Sequence, residues 1–388
     1  MLKHHYTHFL NANQGVQHYA CHSHHYWPDV SRQAMLDYWD DSARFVDDKW
    51  GYFFAEKVPR LQSHIAKLLN TNLPEQLVFA PNTHELLFRV ISGMDLQSEL
   101  TIVTTDSEFH SFTRQVNRLD EFNNIHVIKV PVQPVKSFQS RFMDAIEYND
   151  PNLVFCSQVF FNSGLVLKDL DALVSAVKNP DTLIMIDGYH AFCALPVDIE
   201  KHRNRIFYLA GGYKYAQGGE GVCFMHVPKG YLNRPLYTGW YAEFGELQKF
   251  KSRKVDYATN GFHYAGSTMD YSGIYRQLAV FDLWQKEKVT VAVIHQHVQQ
   301  LQQAFLNHVF GLKQSVLTES RLMMVNPENH GHFLTFELPD ASITATLHDY
   351  LKAHKIETDY RGNRLRFGFA PYHAIADIDL SCLENYGG

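Results

Sequence analysis

The sequence predicts an α/β protein with a mostly parallel sheet flanked by helices, followed by a smaller C-terminal α+β domain. Three observations predict this fold: short apolar runs, amphipathic segments between several of them, and a change of pattern after Thr268. Short strands that alternate with helices are typical of a parallel sheet covered on both faces. Polar residues that follow such strands gather at the carboxyl edge of the sheet, where folds of this kind bind ligands.

The elements of the larger unit follow in chain order. Apolar residues recur with helical spacing over residues 31–70, and the segments 83–93 and 167–178 are amphipathic. Bounded apolar runs of this length predict buried strands. The expected strands are 77–80, 100–104, 125–130, 153–156, 182–186, 205–210 and 221–226.

The pattern after Thr268 predicts a separate unit. One long helical stretch over 272–306 leads into apolar runs at 332–338 and 365–370. We therefore divide the chain into an N-terminal arm (1–30), a large domain (31–264) and a small C-terminal domain (265–388).

Bulk composition excludes several classes of protein. The 388 residues carry a formal net charge of −6, which leaves no basic surface for nucleic acid. No apolar run is long enough to span a membrane. Five irregularly spaced cysteines and a polar N-terminus without a secretory signal favour a cytoplasmic location. The histidines between residues 18 and 25 lack a supporting carboxylate or cysteine pattern, so no metal site is expected.

The segment 182–221 is the most informative part of the sequence. One apolar run ends in Asp187, and the next leads into Lys214 within a glycine-rich turn. Alone, such an aspartate caps a turn and such a lysine is a solvated surface charge. Together they are what pyridoxal 5′-phosphate (PLP) chemistry needs. The carboxylate keeps the pyridine nitrogen protonated, and the lysine holds the cofactor as a Schiff base and later moves protons.

Three stretches carry a resemblance to a known group of enzymes: Asp187-Gly188-Tyr189-His190, Tyr213-Lys214, and residues 157–164. On them the chain resembles fold-type I PLP enzymes of the class V aminotransferase group, and within that group it is most similar to kynureninases. The resemblance implies PLP as cofactor, a small amino-acid substrate, and a homodimer with its active site at the subunit interface. The large domain would bind PLP, and the N-terminal arm would contribute to the active site.

The resemblance also implies roles for single residues. Asn82 and Thr83 would hold the cofactor phosphate at a helix N-terminus, with a plain helix cap as the alternative. Phe109 would stack on the cofactor ring, with His110 as the alternative. Trp240, Ser267 and Thr268 would reach the active site of the partner subunit. The implied catalytic residues are Lys214, Asp187 and Tyr213, and the further cofactor contacts are Ser157, His190, Tyr213, Trp240, Ser267 and Thr268.

Arg366 is the expected substrate-binding residue. It alternates with the apolar residues Leu365 and Phe367, and it matches the region of the group's carboxylate-binding arginine. A guanidinium group grips a carboxylate in bidentate fashion, which a lysine does not reproduce. The alternative is a charge on a solvated strand face.

The reaction is less sharply indicated than the cofactor. The resemblance favours kynureninase-like hydrolytic C–C cleavage first, although Thr268 stands where that family carries an asparagine. The alternatives are a class V-type aminotransferase or another PLP lyase acting at Cβ and, from a different class, a non-catalytic PLP-fold binding module. A cysteine desulfurase is not expected, because residues 347–366 contain no cysteine to act as the nucleophile.

Overall fold

The computed structural model describes residues 1–231, 233–243, 254–324 and 330–387. Within them, seven strands form a central sheet in the order β2-β8-β7-β6-β5-β3-β4. Only β8 runs against its neighbours β2 and β7, and the other pairs in this sheet are parallel. The seven strands are β2 Leu77–Ala80, β3 Leu100–Thr105, β4 Ile125–Val130, β5 Leu153–Ser157, β6 Leu183–Asp187, β7 Ile206–Gly211 and β8 Cys223–His226.

Helices cover both faces of this sheet, as the apolar runs require. On β5, Val154 and Cys156 face one core cluster, whereas Leu153 and Phe155 face the other. Phe112 stacks on Phe155 with ring centroids 3.6 Å apart, which fixes one covering helix. The helices of this part of the chain are α1 Thr7–Ala12, α2 Val30–Phe45, α3 Lys49–Tyr52, α4 Val58–Leu68, α5 Thr83–Ile91, α6 His110–Leu119, α7 Val135–Asn149 and α8 Leu170–Ala176.

A smaller sheet lies in the C-terminal part of the chain. Its strands pair antiparallel in the order β11-β12-β9 among the described residues. The N-terminal arm joins this unit, because its short strand β1 pairs in parallel with β10. The remaining elements are β1 Gln17–His18, α9 Ser272–Lys286, α10 Val291–Gly311, β9 Phe333–Glu337, α11 Ala341–Ala353, β10 Ile356–Glu357, β11 Asp359–Arg361 and β12 Arg364–Gly368.

The predicted fold class is confirmed, and one helix prediction is wrong. The single helix expected over 272–306 is two helices, α9 and α10. Lys288 takes a positive φ of 54° after the end of α9, and the Thr290 side chain accepts the Val293 N–H to cap α10. The helical stretch expected over 31–70 is likewise interrupted at Val46, whose φ is 50°. The domain boundaries at 30/31 and 264/265 stay predictions.

None of the helices in the described ranges combines the length and apolar character that crossing a membrane requires.

Candidate active site

A cavity of about 360 Å³ opens where β5, β6 and β7 end. Parallel strands bring their carboxyl ends to the same sheet edge, so residues far apart in sequence meet there. Eight of the residues predicted for the cofactor site line this cavity. The lining residues are Pro81, Asn82, Thr83, His84, Phe109, Ser111, Ser157, Val159, Phe161, Asp187, Tyr189, His190, Tyr213, Lys214, Glu220, Gly221 and Cys223.

Asp187 and Lys214 face each other across this cavity. Asp187 ends β6, and its Oδ1 accepts the Tyr189 N–H at 2.9 Å. Burial raises the pKa of Asp187, with the Lys214 charge acting in the opposite direction. Burial also lowers the pKa of Lys214 to about 7, helped by the charge of Arg366. A lysine with this pKa is substantially neutral near pH 7 and can act as a nucleophile or a base.

His190 is the direct partner of the lysine. Lys214 Nζ and His190 Nε2 are hydrogen-bonded to each other, while the buried Nδ1 of His190 has no partner among the described residues. Burial and the Lys214 charge hold the pKa of His190 well below its usual range. The imidazole is therefore neutral at neutral pH.

The predicted phosphate and ring contacts Asn82, Thr83 and Phe109 also line the cavity. Asn82 caps α5, because its Oδ1 accepts the Glu85 N–H at 2.9 Å, and Thr83 begins the helix. The plain-cap alternative thus describes the Asn82 side chain, whereas Thr83 lines the cavity at the helix N-terminus, where its hydroxyl could contact an anion. Phe109 lines the cavity with its ring centroid 5.6 Å from Lys214 Nζ, and His110 does not line it.

Ser157 is held by a carboxylate that the sequence reasoning missed. Glu108 is fully buried, and its Oε1 accepts the Thr105 hydroxyl at 2.7 Å. Its Oε2 accepts both the Ser157 hydroxyl and the Ser157 N–H, the latter at 3.0 Å. Burial raises the pKa of Glu108 to about 7. A charged residue directly before the predicted ring-stacking Phe109 was the available signal, but a Glu after a strand has many ordinary uses.

The raised pKa of Glu108 predicts that the stability of the folded protein depends on pH. The folded state binds the Glu108 proton more tightly than the unfolded state, in which the carboxyl has the ordinary pKa of 4.5. This difference stabilises the folded protein in full below pH 4.5, and the free energy of unfolding falls by about 3 kcal/mol as pH rises toward 7. Glu108→Gln replaces the titrating carboxyl with an amide that does not titrate. The melting temperature of the variant minus that of the unmodified protein should therefore increase between pH 4.5 and 8. Glu121→Gln, an exposed change, is the control. Melting profiles that stay parallel for Glu108→Gln would contradict the account.

Tyr213 contacts the N-terminal arm. Its hydroxyl lies 2.7 Å from His24 Nδ1, and the ring of His24 packs edge-on against it. The arm also brings His22, which is fully buried, to within 3.7 Å of Asp359. Sequence reasoning assigned neither histidine a partner, because long-range contacts between the arm and two other segments leave no local pattern.

The three residues expected to serve the partner subunit lie beside the cavity and not in it. Trp240 Nε1 donates to the Thr268 hydroxyl at 3.4 Å, and its side chain is 42% exposed. Ser267 and Thr268 line a separate recess of about 230 Å³ that shares Pro81 with the cavity. In a single chain they are therefore not brought together with Lys214.

Arg366 is buried, which contradicts the solvated-face alternative. It is 3% exposed on β12, and its Nη1 donates to the Phe161 carbonyl. Its Nη2 pairs with Asp359, the residue directly opposite on β11. The guanidinium is close enough to Lys214 to lower its pKa. Arg366 does not itself line the cavity, but it bonds the carbonyl of Phe161, which does, and it is already paired with a carboxylate.

The residues present fit PLP. A helix N-terminus with Thr83 suits a phosphate, the Asp187 carboxylate suits a pyridinium nitrogen, and burial lowers the pKa of Lys214 to about 7, so that its amine is partly neutral near pH 7. The buried Nδ1 of His190, without a partner among the described residues, is a further polar atom that a bound group could satisfy.

This fold and this site define a PLP-dependent enzyme. The chain belongs to the aminotransferase class-V family, whose sequence pattern matches residues 33–379. Enzymes of this family depend on PLP and act on amino acids, so the predicted enzyme class and cofactor are confirmed. No curated protein matches the chain.

Several solved structures share the fold. A mutant of C-DES with glycine covalently linked to its PLP cofactor is 16% identical, with 98% of this chain and 99% of that chain covered and a TM-score of 0.84. The cystine C–S lyase C-DES in complex with its product cysteine persulfide is 15% identical, with 94% and 95% covered and a TM-score of 0.77. The cysteine desulfurase CsdA from Escherichia coli is 14% identical, with 99% and 96% covered and a TM-score of 0.80. These relatives are not kynureninases, so the narrower resemblance gains no support from them.

Proposed function

We propose that this protein is a PLP-dependent C–S lyase that removes a sulfur-containing group from Cβ of a cysteine-derived amino acid. The observation that carries the proposal is a site with a partly buried lysine, hydrogen-bonded to His190, and a buried arginine nearby, but no reactive thiol among the lining residues. Elimination at Cβ needs a base at Cα and a grip on the α-carboxylate. Sulfur abstraction by the enzyme needs a thiolate in addition.

The cysteines support elimination over desulfuration. All five fall within the described residues, four of them buried and Cys382 partly buried. Cys223 alone lines the cavity, and burial raises its pKa to about 12, so it is a thiol at neutral pH. Cys382 lies in the last turn of the chain, where its carbonyl accepts the Tyr350 hydroxyl. Neither offers a thiolate to a sulfur atom at the substrate.

The residues of the site divide the work as follows. PLP, when bound, supplies an electron sink for the carbon next to the substrate amine. Asp187 favours a protonated pyridine nitrogen, and Arg366 holds the α-carboxylate. Lys214 Nζ accepts the proton from Cα, the C–H electron pair forms the Cα–Cβ double bond, and the Cβ–S pair leaves with sulfur as a thiolate. His190, hydrogen-bonded to Lys214 Nζ, holds the amine in position.

A homodimer belongs to the same proposal. Large apolar side chains are exposed beside the recess that holds Ser267 and Thr268: Leu236 is 80% exposed, Tyr237 45% and Trp240 42%. Exposed apolar groups that cluster next to a ligand site are typical of subunit contacts. In a dimer formed through these exposed side chains, Thr268 and Trp240 of one subunit would lie near the phosphate end of the partner's cavity.

The similar structures favour a substrate with sulfur at Cβ, since one of them is a cystine C–S lyase. Kynureninase-like hydrolysis remains the competing prediction from the sequence. Transamination is a third candidate, because the family is that of the class-V aminotransferases. The three reactions give different products, so one panel of substrates separates them.

The test compares L-cystine, L-kynurenine, and amino acids with 2-oxoglutarate. We expect cysteine persulfide and 2-aminoacrylate from L-cystine, and water hydrolyses the released 2-aminoacrylate to pyruvate and ammonia, which a coupled dehydrogenase assay measures. The double variant Cys223→Ser/Cys382→Ser should retain this activity within about twofold, because no protein thiol takes part. Anthranilate from kynurenine, glutamate from 2-oxoglutarate, or loss of cystine turnover in the double variant would each contradict the proposal.

A further inference from the structure

The pairing of Arg366 leaves its hydrogen-bonding capacity incomplete. Nη1 donates to the Phe161 carbonyl and Nη2 to Asp359, while the buried Nε has no partner in the described part of the chain. A guanidinium this deeply buried is stabilised only when an anion accompanies it. The Asp359 carboxylate therefore occupies, in the free enzyme, part of the donor set that an α-carboxylate would use.

Asp359 is shared between two cations. Its Oδ1 accepts from Arg361 Nη1 at 3.0 Å, while its Oδ2 pairs with Arg366. The nearby His22 stacks on Phe333, and burial and the Arg366 charge hold its pKa well below the usual range, so it adds no charge. Two guanidinium groups thus share one carboxylate, and the cluster has one cation in excess. A second carboxylate would complete it.

We propose that Asp359 is an internal carboxylate ligand of Arg366 that the α-carboxylate of the incoming substrate replaces. This inference rests on the role of Arg366 in the proposed function and adds a specificity-determining residue to it. Asp359 keeps Arg361 as a partner when it leaves Arg366, so neither buried charge is left alone at any stage. Arg366 exchanges one carboxylate for another.

The exchange selects for carboxylates. An amine without a carboxylate can react at Lys214 but offers no anion to Arg366, so Arg366 stays paired with Asp359. An amino acid completes the pairing of Nε and Nη2. In the free enzyme Arg366 is paired with Asp359, and only molecules in which this pair is broken can bind the α-carboxylate. Asp359 therefore lowers the apparent affinity for every amino acid in proportion to the fraction of molecules in which the pair is broken.

The first test measures affinity by titrating the visible absorbance band of the full-length PLP-loaded protein. Glycine and methylamine are the probes, since they differ in the carboxylate. For Asp359→Asn we expect glycine to bind about tenfold more tightly and methylamine to change less than about twofold. Glu337→Gln is the matched control, because Glu337 pairs with Arg364 in the same small sheet away from the cavity. Unchanged or weaker glycine binding in Asp359→Asn would mean that Asp359 only orients Arg366, and the proposal would fall.

The second test does not depend on the cofactor. Without added PLP, acetate should raise the melting temperature of Asp359→Ala more than that of the unmodified protein or Glu337→Gln, since acetate can take the vacated place on Arg366. An equal response in all three proteins would overturn the proposal. If PLP produces no visible band at all, the proposed function fails, whereas the acetate comparison still decides the role of Asp359.

Discussion

Lys214→Ala should remove the visible absorbance band of the PLP-loaded protein and lower turnover by roughly 10²–10⁴-fold or more. The substitution takes away both the covalent attachment and the base that accepts the Cα proton. The methyl side chain leaves His190 without its hydrogen-bond partner, but it removes a buried amine rather than a packed apolar group. The expected effect is therefore on chemistry and not on folding.

The control for this variant is Lys201→Ala. Lys201 is 70% exposed and pairs with Asp171 on the surface, so its loss should leave both the band and turnover unchanged. Absorbance after gel filtration and the initial rate with L-cystine measure the two effects. Equal rates for Lys214→Ala and the unmodified protein would remove the lysine from the mechanism.

Asp187→Asn should lower turnover by roughly 10²–10⁴-fold, corresponding to about 3–5 kcal/mol for a buried charge pair deprived of one partner. The amide oxygen can still accept the Tyr189 N–H, so the turn after β6 is retained. What is lost is the negative charge that keeps the cofactor's pyridine nitrogen protonated. PLP should still attach to Lys214, because the lysine itself is unchanged.

A matched control lies in the loop between β6 and β7. Asp198 accepts the Glu200 N–H at 2.9 Å, the same turn contact that Asp187 makes, but it is exposed. Asp198→Asn should therefore leave kcat unchanged. A similar decrease in the two variants, measured as kcat with L-cystine, would assign the effect to the turn rather than to the charge.

Much of the fold could be predicted because its strands are buried on both faces. Runs such as 153–156 and 183–186 are continuously apolar, and their ends carry the polar residues that meet at the sheet edge. The direction of β8 and the break between α9 and α10 were not predictable in the same way. The break depends on Lys288 adopting a left-handed backbone conformation, for which lysine has no preference that a sequence pattern would reveal.

The candidate site was predictable where residue type and local context agree. Asp187 and Lys214 stand at strand ends beside glycines, and the structure places them at one cavity. Glu108 and Asp359 were missed because their importance comes from buried contacts with other strands. Glu108 meets Ser157, 49 positions away, and Asp359 meets Arg366 across the β11–β12 pair. A carboxylate becomes informative only when burial and neighbours are known. Tyr213 similarly meets His24, 189 positions away.

The most direct test of the central claim is to find where the cofactor is attached. The PLP-loaded protein is reduced with borohydride, digested, and mapped by mass spectrometry. The account predicts one modified peptide, with the pyridoxyl phosphate group on Lys214 and the visible band lost on reduction. Modification of a different lysine, or no stable modification at all, would contradict the assignment of Lys214 and with it the mechanism built on Asp187 and Arg366.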